Sequence, residues 1–123
     1  MAKITIADGT LTVTMQGIDK ILALRGHVSV PLAHIRGVEL RPEEARHLWH
    51  GLRVGTNLPG VVTAGTFFTG DGQVFYDVHD PDRTIAIDLA DETYRRLIVD
   101  VDHDEGPEEV AQRIRVALGP GTA

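Results

Sequence analysis

The sequence predicts a mainly β fold with one C-terminal helix. Apolar residues alternate with polar ones through many short segments, Gly, Asp and Pro interrupt those segments, and the clearest helix signals follow residue 106. A single helix after about seven short strands excludes a parallel α/β fold, because that class needs a helix between successive strands. We therefore expect two antiparallel sheets with the helix packed against them.

The chain opens with a predicted β-hairpin. Apolar residues stand at positions 4 and 6 and again at 11, 13 and 15, and Asp8-Gly9 between them favours a two-residue turn. Short strands are predicted at residues 21–25 and 28–30, and Pro31 ends the second. A further strand is predicted over residues 35–40, with a bulge at Gly37.

The middle of the chain predicts irregular structure. Pro42 suits the first position of a helix and two glutamates follow it, so residues 42–50 are predicted as one or two helical turns. Residues 51–60 contain three glycines and a proline and are predicted as an irregular loop. Because ordered loops of this length are uncommon, this loop is a candidate for a binding role.

The second half predicts four more strands. Residues 61–69 and 73–79 flank a tight turn, and residues 84–89 alternate as a half-buried strand. A turn over residues 91–95 precedes the last strand, residues 97–101, in which Asp100 and Asp102 are expected to face solvent.

The C-terminal helix has marked ends. Pro107 begins it, two glutamates occupy its first turn, two arginines stand near its end, and Gly119 follows it; Asp104 is a candidate N-cap. Positions 110, 114, 117 and 118 form an apolar stripe that could seal one end of a sheet structure. We expect a single domain over residues 1–119 and a frayed tail over residues 120–123.

Composition limits the classes of function. The 123 residues include no cysteine, which excludes disulfides, thiolate zinc sites and a cysteine nucleophile. The net charge of −6 divides into +2 for residues 1–60 and −8 for residues 61–123, so binding to nucleic acid or to an anionic membrane has little electrostatic support. With neither a signal peptide nor a membrane helix in the sequence, we expect a cytoplasmic protein without stable membrane association.

The element order resembles that of the pleckstrin-homology (PH) superfold, an open barrel of two antiparallel sheets capped by a C-terminal helix. Over residues 3–118 the sequence is similar to bacterial PH-like proteins of unassigned function. The segments that carry the similarity are residues 30–38, 51–60, 64–67, 76–78 and 94–99. The resemblance implies a non-enzymatic binding or assembly module whose partner is another protein or a second copy of itself, and it supplies no catalytic residue and no cofactor.

Residues 49–60 hold the candidate binding residues. Trp49 would be an apolar anchor and Arg53 an anion contact, while Thr56, Asn57 and Pro59 lie on a glycine-rich backbone that a partner could approach closely. The structural alternative is that Trp49 and Leu58 pack beneath the loop and the glycines serve sharp turns.

An enzyme is the alternative from a different class. It would be a small-ligand or metal-assisted enzyme using His47, His50, Asp77 and His79, with the last two on one strand face. Glu43 shares helical spacing with the first two histidines, but without a dedicated third ligand a solvated helix face is the favoured interpretation, and no metal site is predicted.

A lipid head-group binder is a weaker alternative. PH domains that bind phosphoinositides place Lys and Arg around the first hairpin loop, where this chain has Asp8-Gly9. Its two lysines, Lys3 and Lys20, offer few charge-assisted bonds to phosphate.

Overall fold

A computed structural model describes residues 1–16, 26–45, 52–58, 62–70 and 72–119. Within these ranges the chain forms nine strands and one α-helix, which confirms the mainly β prediction. The strands are β1 Ala2–Ala7, β2 Thr10–Met15, β3 His27–Pro31, β4 Ile35–Leu40, β5 Leu52–Leu58, β6 Val62–Thr69, β7 Gly72–Val78, β8 Thr84–Leu89 and β9 Tyr94–Asp100, and the helix is α1 Pro107–Leu118. In this described part of the chain no helix has the length and apolar character that a membrane span requires.

The strands form two sheets that are not closed into a barrel. One has the order β1-β2-β3 and the other the order β4-β8-β9-β7-β6-β5. The prediction of about seven strands in purely antiparallel sheets is wrong, because the described residues hold nine strands and β7 pairs with β9 in parallel. Strand β9 enters between β7 and β8, which run in opposite directions, so it must be parallel to one of them.

Two local features occur where the sequence predicts them. Asp8 and Gly9 join β1 to β2 with φ angles of 53° and 73°, the left-handed conformation of a tight hairpin turn. The pairing of β4 with β8 shifts between Ile35 and Gly37, which confirms the predicted bulge.

The irregular loop predicted over residues 51–60 is wrong. Leu52–Leu58 forms strand β5, which pairs antiparallel with β6 along its whole length. Of the helical turns predicted over residues 42–50, Glu43–Ala45 forms a 3₁₀ turn, and residues 46–50 lie outside the described part, as do residues 21–25 and 120–123.

The predicted helix is confirmed, with two corrections. It runs from Pro107 to Leu118 and ends at Gly119, whose φ is 79°. Its N-cap is Gly106, with no side-chain capping bond, so the prediction for Asp104 is wrong. Ala111, rather than Ala117, is buried with the apolar stripe.

Buried side chains form two clusters on opposite faces of the larger sheet. The main cluster lies between the two sheets and α1, and the smaller cluster gathers Phe67, Tyr76 and Ile98 on the other face. Because both of its faces are covered, β8 is buried at five of six positions rather than half-buried as predicted. The larger sheet is thus the central layer, and β5 lies at one side of it.

Candidate functional site

The predicted binding residues fall partly within β5. Trp49 and Pro59 lie outside the described residues. Arg53, Thr56 and Asn57 belong to β5, of which the structure describes the backbone. Since adjacent residues of a strand alternate between faces, positions 53 and 57 share one face and position 56 lies on the other. The structure therefore places these residues on an edge strand, and not around a loop.

Strand β5 is the last strand of the larger sheet. It pairs with β6 from Leu52 opposite Phe68 to Leu58 opposite Val62. No other strand among the described residues pairs with its second side. An edge strand directs alternate backbone N–H and C=O groups away from its sheet, and these groups can accept a further strand.

One face of this edge is apolar by register. Leu52 and Leu58 lie at positions on the same face as Phe68 and Val62, their pairing partners in β6. The Phe68 side chain is 41% exposed, in contrast to its neighbour Phe67, which is buried at 1%. The edge of β5 therefore adjoins at least one large exposed apolar side chain.

The outer edge of β1 is covered. Arg113 of α1 donates from Nη2 to the backbone oxygen of Ile4 at 2.7 Å. The backbone N–H of Asp102 donates to the oxygen of Ala2 at 2.9 Å. These two bonds occupy carbonyl groups that a strand added to β1 would need.

The edge of β4 is covered in the same way, by the next arginine of the helix. Arg115 donates from Nη2 to the backbone oxygen of Val38 at 3.2 Å. On the smaller sheet, β3 has five residues and ends in Pro31, which has no N–H to donate. Of the four outer strands described, β5 is the longest, and it contains no proline.

The Asp77 and His79 side chains proposed for an enzyme differ in their exposure to solvent. Asp77 is fully buried, and one of its carboxylate oxygens lies 3.4 Å from the α-amino nitrogen of Met1. His79 follows the end of β7 and is exposed, with its backbone N–H bonded to Asp100. Strand β7 ends at Val78, so only Asp77 of the pair lies within the strand.

The prediction that Asp100 faces solvent is also wrong. Its side chain is fully buried, and Oδ2 accepts hydrogen bonds from the backbone N–H groups of His79 at 2.8 Å and Asp80 at 2.9 Å. Oδ1 lies 3.4 Å from the Met1 α-amino nitrogen. This carboxylate therefore holds the turn after β7.

The residues considered for a metal are only partly described. His47 and His50 lie outside the described residues, whereas Glu43 lies in the 3₁₀ turn. Within the described ranges no three His, Asp or Glu side chains converge in a way that could hold a metal ion.

A recess between β3 and the turn before β9 is too small for a typical ligand. Its volume is about 100 Å³, and its walls include Val28, Leu89 and Tyr94. Pockets for drug-sized ligands occupy roughly 300–1,000 Å³. Glu92 at this recess pairs with His34, with 2.5 Å between Oε2 and Nδ1. The recess thus gives less support to a binding role than the edge of β5 does.

The sequence does carry a signal for β5 that the glycine count obscures. Leu52, Val54, Thr56 and Leu58 alternate with period two, as in a half-buried strand. The sequence carries no signal for the exposure of Phe68, because that exposure depends on which elements pack beside β6.

Searches with the whole chain against protein-family models, curated proteins and solved structures found no match.

Proposed function

We propose that this protein is a non-enzymatic binding and assembly module that pairs its edge strand β5 with a strand of another protein or of a second copy. The observation that carries the proposal is the place of β5 at the end of the larger sheet, paired with β6 on one side only within the described residues. Strand addition supplies affinity through backbone hydrogen bonds and specificity through alternate side chains.

The covered edges support the choice of β5. The helix arginines bond to the backbones of β1 and β4, so a further strand there would have to displace charge-assisted bonds. On the second side of β5, no strand among the described residues would have to be displaced. The exposed Phe68 beside it adds apolar area to the same surface.

A bacterial PH-like fold and a cytoplasmic location belong to the same proposal. The support is the order of strands followed by one helix, and the packing of α1 against residues of both sheets. The parallel β7–β9 pair and the open sheets are departures from a simple barrel of two antiparallel sheets. The acidic net charge of −6 favours a protein partner over a lipid head group or nucleic acid.

The experiment compares two threonine variants. Thr56→Lys places a charge on β5, which disfavours strand addition, whereas Thr5→Lys places the same charge at an exposed position of the covered strand β1. We expect Thr56→Lys to lose self-association in sedimentation velocity and partner capture in pull-downs, while Thr5→Lys retains both. Association that survives Thr56→Lys unchanged, or flotation of the wild-type protein with anionic vesicles, would contradict the proposal.

A further inference from the structure

We infer that the α-amino group of Met1 is a modification site, and that acylation of this amine removes a positive charge on which two buried carboxylates depend. The α-amino nitrogen lies 3.4 Å from a carboxylate oxygen of Asp77 and 3.4 Å from a carboxylate oxygen of Asp100. Both aspartates are fully buried. The inference concerns a different part of the molecule from β5 and does not depend on the proposed function.

The two carboxylates come from neighbouring strands of the larger sheet. Asp77 of β7 lies opposite Val99 of β9, and Asp100 follows Val99. A carboxylate that leaves water loses its hydration, so a buried carboxylate is stable only where hydrogen bonds or an opposite charge replace that hydration. Two carboxylates that share one site also repel each other. The loss of a positive charge 3.4 Å from both is therefore more costly here than at an isolated surface ion pair.

The backbone that follows Met1 fixes the position of the amine. Ala2 is fully buried, and its backbone oxygen accepts a hydrogen bond from the N–H of Asp102 at 2.9 Å. Ala2 also pairs with Val101 in an isolated parallel bridge. Since Ala2 begins β1, the smaller sheet brings the amine to the carboxylates of the larger sheet. The ion pairs therefore contribute to the contact between the two sheets.

Acylation changes both the charge and the hydrogen-bonding capacity of this nitrogen. When an acyl group is transferred from a thioester, the nitrogen forms an amide bond to the acyl carbon and the carbon–sulfur bond breaks. Of the three protons of the ammonium, one stays on the amide nitrogen, one goes to the leaving thiol and one goes to solvent. The product carries no charge at that nitrogen, so Asp77 and Asp100 lose the ammonium as their partner.

The ε-amine of Lys3 provides a comparison within the same segment. Lys3 is exposed, whereas Ala2 and Ile4 on either side of it are buried. An exposed cation contributes little to stability, because water screens its interactions. Acylation of Lys3 therefore removes the same charge from the protein without the effect expected at Met1.

The folded state and the acylated amine oppose each other. Because Ala2 is buried and the ammonium contacts two buried carboxylates, an acyl group has to enter while this end of β1 is open. An acyltransferase would thus act on chains in which β1 has not yet paired or has opened locally. By linkage, acylation in turn favours the open state.

Competitive acetylation measures how far the fold protects this amine. A trace of acetic anhydride in mildly alkaline solution acetylates both amines, and fragment spectra of the peptide 1–7, released by cleavage before Asp8, distinguish Met1 from Lys3. In urea the α-amine is the more reactive, because its ordinary pKa of roughly 7.7–8.0 lies below the value of roughly 10.4 for lysine. We expect folding to slow the acetylation of Met1 by at least about tenfold and that of Lys3 by less than about twofold. Equal slowing of the two amines overturns the inference.

Acetylation in two backgrounds separates the effect of charge from that of bulk. The wild type and the variant Asp77→Asn/Asp100→Asn are each prepared with a free α-amine and, by co-expression with an N-terminal acetyltransferase, with an acetylated one. We expect acetylation to lower the ratio of folded to unfolded wild type by about a hundredfold or more, and that of the variant by less than about threefold. The difference arises because the variant has no carboxylate at this site that needs a positive charge. Urea denaturation measures each ratio.

Lys3→Gln is the matched control for the loss of one positive charge in the same segment, and it should change the ratio by less than about threefold. An equal loss in both backgrounds would show that the volume of the acetyl group destabilises the protein, and it overturns the inference. An acetylated wild type that is as stable as the free form overturns it as well. If the double variant does not fold, competitive acetylation of the wild type decides, because it needs no substitution.

Discussion

Asp100 is a buried carboxylate whose partners in the described part of the chain are backbone N–H groups and the chain-terminal ammonium. It accepts from the N–H groups of His79 and Asp80 and lies 3.4 Å from the Met1 ammonium nitrogen. A buried charge is tolerated when hydrogen bonds and an opposite charge replace its lost hydration. The Asp100 carboxylate therefore links β9 to the turn after β7 by hydrogen bonds.

We expect Asp100→Ala to lower the free energy of unfolding by about 3 kcal/mol, because it leaves two backbone donors without their acceptor and removes one of the two carboxylates beside the Met1 ammonium. Asp100→Asn retains one oxygen acceptor and should cost less. Urea denaturation monitored by circular dichroism measures both. Asp104→Ala is the control, because Asp104 is exposed and does not cap α1. Equal midpoints for Asp100→Ala and Asp104→Ala would show that the buried bonds contribute little.

Glu108 and Arg41 form an ion pair that links the first turn of α1 to the end of β4. Arg41 Nη2 donates to Glu108 Oε2 at 2.9 Å. This hydrogen bond lowers the pKa of the Glu108 carboxyl below its ordinary value and raises the pKa of Arg41. The folded protein therefore holds the proton on Glu108 more weakly than the unfolded chain does.

Because the pKa of Glu108 is lowered by folding, the ion pair stabilises the folded protein less at acidic pH. The contribution of Glu108 to stability is present above its unfolded pKa and is lost as the pH falls through its lower folded pKa. NMR titration should place the Glu108 midpoint below about 4.3, the ordinary value for a glutamate. Arg41→Gln should return the midpoint toward that value, whereas Arg36→Gln, the matched control in β4, should not move it. An unchanged midpoint in Arg41→Gln would contradict the assignment.

Helix α1 acts as an element that joins both sheets. Its buried residues Val110, Ala111 and Ile114 pack into the structure from one face. Arg113 reaches the backbone of Ile4 in β1 and bonds to the Glu105 carboxylate, while Arg115 reaches β4. The same helix therefore contributes apolar packing and covers two sheet edges.

We expect Arg113→Ala to lower the free energy of unfolding by about 1–2 kcal/mol, because the Ile4 oxygen and the Glu105 carboxylate lose a charged donor. Gln112→Ala, at an exposed position one residue earlier, should be nearly neutral. Thermal and urea unfolding of both variants measure the difference. Equal free energies of unfolding for the two variants would show that the Arg113 hydrogen bonds do not stabilise the protein.

At the scale of the whole molecule, the larger sheet has apolar clusters on both faces and an edge strand at each side. One side ends at β4, which α1 covers, and the other ends at β5. The proposed strand pairing depends on this difference between the two edges.

If the protein associates with itself through β5, as proposed, we expect its thermal stability to depend on protein concentration. Since association stabilises the folded state by mass action, the Tm of the wild-type protein should rise between micromolar and millimolar concentrations. The Tm of Thr56→Lys should stay constant over the same range, and that of Thr5→Lys should follow the wild type. Differential scanning calorimetry measures this. A wild-type Tm that does not vary with concentration would argue against self-association.

The sequence by itself determined the elements whose signals are local. Asp8-Gly9 produces the first turn because a left-handed backbone suits those residues, Gly37 marks the bulge, and Pro107 and Gly119 delimit α1. Each of these depends on the conformational preferences of a few consecutive residues. The mainly β class follows from the same period-two patterns.

Only the tertiary structure decided the features that depend on distant neighbours. Residues 52–58 become a strand because β6 supplies hydrogen-bond partners, which offset the low strand propensity of Gly55. Strand β9 is parallel to β7 because it lies between β7 and β8, which run in opposite directions. Asp100 is buried because the turn after β7 closes over it with two N–H groups. Strand pairing and burial are made by residues far apart in the chain, so a local pattern cannot assign them.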